Sequence, residues 1–340
     1  MKKRNHEPQV RIFSGDYNPT LAQNVADSLK LPLDQATITR FSNGEVKAEV
    51  PARSREEEGE KISAVRGDHV FIIQSHGSPD IDANIMEHLA LVNAARRASA
   101  ADVTAVMPYR GYSRADRPDN SHESFMGPLV MRAFAEAGAN RIIEIDPHSG
   151  QAAGFLPNFH TEYTAIPAHL VIDDYIRSLY DAETRDTFAM VAPDSGRTKM
   201  NRHYADRHKM GRAIVDKLRT GPNEVETGTV VGDVQNKHCI MIDDMIDTGG
   251  TILKGAQTLR EKGASSVSII ATHGILSGNA ISNIIHAKEQ GVIERIAVTD
   301  TLKMPQDTPE GLIDVISVVP LIRKAIKRVY NGESVSEAFN

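Results

Sequence analysis

Residues 239–253 read Cys-Ile-Met-Ile-Asp-Asp-Met-Ile-Asp-Thr-Gly-Gly-Thr-Ile-Leu, which places three carboxylates just ahead of a glycine pair. The apolar run 239–242 has the pattern of a buried strand, and Asp243 and Asp244 are expected to end it. Thr248, Gly249, Gly250 and Thr251 then turn the chain into a helix, with Ile252, Ala256 and Leu259 at helical spacing and Gly263 as its C-terminal stop. Adjacent glycines let backbone N–H groups converge, and a helix start adds its dipole, so the turn suits a phosphate. The carboxylates of Asp243, Asp244 and Asp247 would repel a bare phosphate but suit sugar hydroxyls or Mg²⁺. The combined reading is a ribose phosphate. Taken alone, the same stretch also fits a strand–helix turn capped by Asp or Thr.

Other segments carry potential chemistry, each with a plainer alternative. Asp194 follows an apolar run in Val-Ala-Pro-Asp-Ser-Gly-Arg and suits Mg²⁺ or a sugar hydroxyl, or else caps the next helix. His148, in Asp-Pro-His-Ser, is either a ligand or a hydrogen-bonded structural histidine, and the structural role is the stronger reading for His76, His122 and His273. Lys217 and Arg219 stand at the root of an aperiodic Gly/Pro-containing stretch. They suit a lid that brings positive charge onto a phosphoryl group, or are two exposed cations. The arginines and tyrosines of 109–117 can hold a polyphosphate and stack on a base, or form a surface loop with ion pairs. No Gly-Lys dipeptide and no Gly-x-Gly occur, which excludes a Walker A loop and the dinucleotide fingerprint.

These residues need a scaffold that brings strand ends together. Apolar runs at 10–14, 37–41, 70–74, 103–107, 141–145, 188–192, 214–216, 267–271, 296–299 and 315–319 read as strands. Helical stretches at 19–30, 81–100, 129–137, 169–179, 200–209, 280–289 and 321–329 alternate with them, and 41–45 is a polar-tipped turn. The alternation implies an α/β protein whose sheets are mainly parallel and flanked by helices. Polar clusters follow the strand ends in both halves, where ligands bind in such sheets. Two similar lobes are therefore expected, 1–160 and 161–340, with the break at 158–167. The charged stretch 51–61 reads as a solvated loop without chemistry.

The chain has 340 residues, 40% hydrophobic and 25% charged, as in ordinary soluble domains. Cys239 is the single cysteine, which excludes an internal disulfide framework and favours a reducing, cytoplasmic setting. The basic start Met-Lys-Lys-Arg-Asn is followed by no apolar segment of the secretory kind, and no apolar run approaches the roughly 18 residues of a membrane span. The net charge of −6 argues against a general nucleic-acid binder. No membrane or nucleic-acid partner is expected, and an anionic ligand must be met by local donors.

Taken in order, the segments closely resemble the ribose-phosphate pyrophosphokinase (phosphoribosyl-diphosphate synthetase) family from residue 11 to residue 339. The matching stretches are 40–46, 65–75, 112–117, 146–148, 193–196, 216–217, 243–251, 272–273 with 277–278, and 331–336. The resemblance implies two lobes of the type I phosphoribosyltransferase fold, the first contributing ATP-binding segments and the second the ribose 5-phosphate loop and catalytic lid. It implies transfer of the β,γ-diphosphoryl group of ATP to the 1-hydroxyl of ribose 5-phosphate, giving AMP. By the same likeness Phe41 stacks on adenine, while Asn43, Gly44 and Glu45 reach its edge from a neighbouring subunit. Arg114, with Ala115 and Asp116, binds the polyphosphate, and His148 and Asp194 hold Mg²⁺. Lys217 and Arg219 act on the transferred group, with Arg219 also near the sugar phosphate. Asp243, Asp244, Asp247, Thr248, Gly249, Gly250 and Thr251 hold ribose 5-phosphate. The shared site implies a homo-oligomer built from dimers, often a hexamer in the family.

The chain departs from the family pattern at several points. Ala115 replaces a usual Gln, Leu218 and Met200 usual basic residues, and Arg197 the second glycine of Pro-Asp-x-Gly-Gly. Segment 118–128 differs from the family's basic version, and 51–61 is additional. Altered or weak control by phosphate and ADP is the expectation. Two competing readings are a catalytically silent regulatory subunit of such a synthetase and a phosphoribosyltransferase that consumes the diphosphate.

Overall fold

Buried β-branched runs and amphipathic helical stretches alternate along the chain and fold into parallel sheets covered by helices. The computed structural model describes residues 8–54, 61–118, 120–156, 159–181, 183–217 and 228–339. Contacts divide the chain into two units. One comprises Met1–Pro167, Thr301–Lys303 and Val319–Asn340, the other Ala168–Asp300 and Met304–Val318.

The first unit runs β1 (Val10–Ser14), α1 (Pro19–Leu29), β2 (Leu33–Asp34), β3 (Thr37–Arg40), β4 (Val46–Glu49), β5 (Ala52–Ser54), β6 (Lys61–Ser63) and β7 (His69–Ile73). It continues with α2 (Ile81–Arg97), β8 (Asp102–Met107), α3 (Met126–Ala137), β9 (Arg141–Ile145) and β10 (Glu162–Ile166). Its sheet has the order β10-β9-β8-β7-β1-β2, parallel throughout. Phe13, Val70, Ile72, Val103, Ala105, Leu91, Val130 and Phe134 belong to one buried cluster between this sheet and its helices. Helix α1 starts where Asn18 accepts the Leu21 N–H at 3.3 Å, with Pro19 preset for the first turn. Strands β3 and β4 form a separate antiparallel ribbon, packed on the core through Ile38 and Ala48.

The second unit runs α4 (His169–Arg177), β11 (Phe188–Ala192), α5 (Thr198–His208), β12 (Gly211–Lys217), β13 (Gly228–Val231) and β14 (His238–Ile246). Then come α6 (Gly250–Glu261), β15 (Ser266–Gly274), α7 (Ala280–Glu289), β16 (Arg295–Thr299) and β17 (Asp314–Ile316). The sheet order is β13-β12-β11-β14-β15-β16-β17, parallel except for β13. Its core joins Val191, Met241, Ile269 and Ile296 of the sheet to Ile252, Leu259 and Ile284 of the helices.

Four expectations change. Strand β14 does not stop at the aspartates but runs on to Ile246, because β15 stays paired with it to the register Ile246↔Gly274 and Ile246 is buried. The flanks of the charged stretch pair as β5 and β6 rather than remaining loop, and residues 55–60 lie outside the described residues. Residues 162–166, read as part of a break, form the edge strand β10 beside β9. The C-terminal helix α8 (Val319–Tyr330) belongs to the first unit rather than the second lobe: it packs on α1, and the Tyr330 hydroxyl donates to the Pro8 carbonyl at 3.0 Å.

Behind β7, His76 and His88 are fully buried, with His76 Nε2 3.1 Å from His88 Nδ1. The Gly111 N–H donates to His76 Nδ1 at 3.1 Å, so His76 is neutral and carries its proton on Nε2. Burial holds His76 well below the ordinary imidazole range and His88 at about 3. Both imidazoles are free to protonate in the unfolded chain near pH 6.5 but not in the folded one. Stability is therefore highest above about pH 6.5 and falls toward acid by up to about 1.4 kcal/mol per pH unit per histidine. Urea midpoints measured from neutral pH downwards should show this decline, and His88→Gln should shallow it. An unchanged slope in the variant would remove His88 as a cause.

Candidate active site

In an open parallel sheet, a crevice forms where successive connections leave in opposite directions. In the second unit this occurs between β11 and β14, since β11 leads outward to β12 while β14 leads the other way to β15. The register Val191↔Met241 then sets the residues after Ala192 beside Asp243. Two sequence-predicted segments, Asp194 and the 243–251 stretch, are thus brought together by one topological feature.

The glycine turn is built as the sequence suggests. Gly249 has φ 78°, a left-handed conformation that side chains resist, and it caps α6 without contributing a side-chain oxygen of its own. The first amides of α6 therefore face the turn with the helix dipole behind them. Thr248, Gly250 and Thr251 are exposed and Asp247 is half-buried. The loop is braced from behind: Ser277 donates to Asp247 Oδ1, and Asn283 Nδ2 donates to the Thr248 carbonyl at 3.2 Å.

Asp243 and Asp244 directly precede Met245 in the continuing strand and are largely shielded. Burial, with the adjacent Asp244 carboxyl, pushes Asp243 up to about 7 against the pull of Arg197. The Asp244 N–H donates to Asp243 Oδ1 at 2.8 Å. Asp194 caps the following turn, accepting the Arg197 N–H at 3.1 Å through Oδ1. The capping alternative therefore holds. Lys217 is the last residue of β12, opposite Gly228, while its side chain, Arg219 and the departure Leu218 lie outside the described residues.

The first unit has an equivalent switch point between β1 and β7, but its own side chains fill it. Glu87 accepts the Asp16 N–H at 2.7 Å and Gln74 Nε2 at 2.9 Å, and Arg40 Nη2 lies 3.1 Å from its other oxygen. Arg40 ends β3, so this buried carboxylate also anchors the ribbon. At the ribbon's tip the Phe41 N–H donates to the Glu45 carbonyl at 2.8 Å, Asn43 Oδ1 accepts the Glu45 N–H at 3.1 Å, and Gly44 has φ 91°. Phe41 is left 56% exposed, a large apolar ring held outward on a short turn.

Beside the start of α2, a cleft of about 600 Å³ is walled by Asp80, Asp82, Tyr112, Arg114 and Ala115. The Tyr112 hydroxyl donates to Asp82 at 2.6 Å. Arg114 is exposed, but Asp116 is buried: both its oxygens accept Arg110 Nη2 at 3.0 Å, and one accepts Ser149 Oγ at 2.9 Å. Arg110 is fully buried and its Nε also donates to Glu144, which in turn accepts the Tyr163 hydroxyl at 2.9 Å. Burial opposes the Arg110 charge, yet Glu144 and Asp116 outweigh it and hold the guanidinium above its ordinary value. Arg110 thus ties the Arg114 loop to β9, and Asp116 in turn holds the loop carrying His148 through Ser149, a role that the sequence reading missed. Glu144 lies on a distant strand and Asp116 six residues on in a loop, so no sequence spacing signals the pair. Asp116 serves this brace and faces away from solvent.

The whole chain has relatives of the same length. It is 37% identical over 339 residues to the ribose-phosphate pyrophosphokinase of Listeria ivanovii, covering 100% of both chains. It is 39% identical over 329 residues to that of Campylobacter jejuni, covering 97% of this chain and 98% of the relative. The chain belongs to the ribose-phosphate pyrophosphokinase family. Residues 10–138 match the N-terminal domain of ribose phosphate pyrophosphokinase, and residues 218–340 the phosphoribosyl synthetase-associated domain. The crystal structure of phosphoribosylpyrophosphate synthetase from Mycobacterium smegmatis superposes with a TM-score of 0.82 at 32% identity, covering 95% of this chain and 99% of that one. Membership makes the protein an enzyme, a ribose-phosphate diphosphokinase, with the two-lobed phosphoribosyltransferase-type fold expected from sequence. Among the described residues, no helix is long and apolar enough to cross a membrane.

Arg110→Met would strand two buried carboxylates and should destabilise the fold by about 3–5 kcal/mol. Arg114→Met, at an exposed position, should change stability by less than about 1 kcal/mol. Paired denaturant titrations of the two variants compare these costs, and equal losses would argue against the brace.

Proposed function

We propose that the protein transfers the β,γ-diphosphoryl group of ATP to ribose 5-phosphate with Mg²⁺, releasing AMP and 5-phosphoribosyl 1-diphosphate. The observation that carries this reading is the pairing, at one sheet switch point, of shielded acids with an uncapped glycine turn. Acids for hydroxyls and amides for phosphate, a few residues apart, match a sugar phosphate better than either ligand alone. Thr248, Gly249, Gly250 and Thr251 take the 5-phosphate, and Asp243, Asp244 and Asp247 take the ring hydroxyls. Anchoring the unreactive end of the sugar orients its anomeric hydroxyl. That hydroxyl oxygen bonds to the β-phosphorus, the bridging bond to the α-phosphoryl group breaks toward AMP, and the hydroxyl proton leaves to solvent. Lys217 and Arg219 supply positive charge as the bond order changes.

Among the described residues, no group of three or more His, Cys, Asp or Glu is placed to hold a metal. His148 and Asp194 would each offer a single donor to Mg²⁺, whose remaining positions fall to phosphate oxygens and water, as is usual for this ion. When bound, Mg²⁺ would neutralise charge on the polyphosphate. Phe41, with Asn43, Gly44 and Glu45, meets adenine of a neighbouring subunit, and Arg114 with Ala115 lines the polyphosphate path. Asp116 acts by fixing that loop. The exposed Phe41 ring supports a homo-oligomer built from dimers, and the single buried Cys239 supports a cytoplasmic setting.

AMP release from ATP and ribose 5-phosphate by the purified protein tests the reading. Sugar binding without turnover would favour the silent regulatory subunit instead. Lys217→Ala should lower turnover roughly a hundredfold or more with little change in nucleotide affinity, and near-normal turnover would remove Lys217 from the mechanism. Asp247→Ala should raise KM for ribose 5-phosphate. A change confined to KM for ATP would overturn the loop assignment.

A further inference from the structure

Arg197 forks across the two acids that precede the phosphate turn. Its Nε lies 3.0 Å from Asp243 Oδ1 and its Nη2 2.6 Å from Asp244 Oδ1. Its own backbone is pinned, since its N–H donates to Asp194 Oδ1 at 3.1 Å. The three side chains are shielded, with 22% of Arg197, 18% of Asp243 and 6% of Asp244 exposed. All of these groups belong to the second unit.

Adjacent carboxylates beside a phosphate cup pose an electrostatic problem, because the acids needed for the hydroxyls repel the phosphate. A divalent cation on the acid pair is one solution, since hard cations favour clustered carboxylate oxygens. A guanidinium is another. It stays charged at any working pH, matches carboxylates through a rigid fork, and cannot dissociate from the chain. Here the fork spans the place between the carboxylates that such an ion would take. Asp243 Oδ1 already accepts both Arg197 and the Asp244 N–H.

We propose that Arg197 is a positioning residue for ribose 5-phosphate, a built-in cation that replaces a divalent metal between Asp243 and Asp244 and lets this loop bind the sugar phosphate without one. The inference rests on the assignment of ribose 5-phosphate to this loop and concerns only that subsite. Any Mg²⁺ carried by the nucleotide is separate.

The test is calorimetric titration of ribose 5-phosphate into the full-length protein without nucleotide, in EDTA and in MgCl₂. Wild-type affinity should agree between the two buffers within about threefold. Arg197→Gly should lose about tenfold or more in EDTA and recover most of it in MgCl₂, with Arg197→Lys intermediate. Electron paramagnetic resonance with Mn²⁺ and ribose 5-phosphate should show an additional bound ion in Arg197→Gly. Wild-type binding that collapses in EDTA would overturn the proposal even if no variant folds. So would Arg197→Gly binding as well as, or better than, wild type in EDTA, which would make the contact an obstruction rather than a substitute metal. Failure of wild type to bind in either buffer would instead sink the loop assignment, and the proposal with it.

Discussion

Charge compensation at Asp243 and Asp244 is the constraint around which the second unit is arranged. Two neighbouring carboxylates that are mostly out of water are costly unless each is paired or protonated. Arg197 supplies one cation for two acids, and Asp243, pushed up to about 7, stands ready to hold a proton. The chain as a whole is acidic and offers no long-range positive field to offset this. What stabilises an anion here must come from the amides of the glycine turn, the guanidinium and any bound ion. Each of these is placed by the strand order of a single sheet.

The two units treat the same topological opportunity differently. In the second, the crevice between β11 and β14 is lined by acids and the first amides of α6. In the first, Gln74, Glu87 and the Asp16 backbone occupy the corresponding place with hydrogen bonds to one another. That unit instead presents outward segments, the Phe41 ribbon held by Arg40 on Glu87 and the Arg114 loop held by Arg110 on Asp116. In both cases an arginine on a buried carboxylate positions an exposed group. Such pairs contribute little net stability but are costly to break, so they specify geometry more than they stabilise the fold.

Much of this was legible in the sequence because parallel strands buried on both faces announce themselves as short apolar runs. Strands β1, β9 and β11 and helix α7 fall where the periodicity places them, and the turn at Gly249 follows from its paired glycines. The misses share a cause, which is that partners distant in sequence override local signals. Asp243 and Asp244 look like a strand end until β15 draws the ladder past them. The two-residue β2 and the polar β10 exist only because a neighbouring strand offers its edge. Helix α8 follows the second unit in sequence yet buries its apolar face in the first. Family resemblance marks position 197 as unusual, but only the fold sets its guanidinium on both acids, and only the fold brings Arg110 to Asp116 and Glu144.

The arrangement of the second unit is that of a grip on a pentose monophosphate, if the β14 acids hold its hydroxyls and the α6 amides its phosphate. A crystal structure of the protein soaked with ribose 5-phosphate measures this directly. The phosphate should lie within hydrogen-bonding distance of the amides of residues 248–251, with ring hydroxyls on Asp243. Clear density for the sugar at another place, with this turn holding only water, would contradict it.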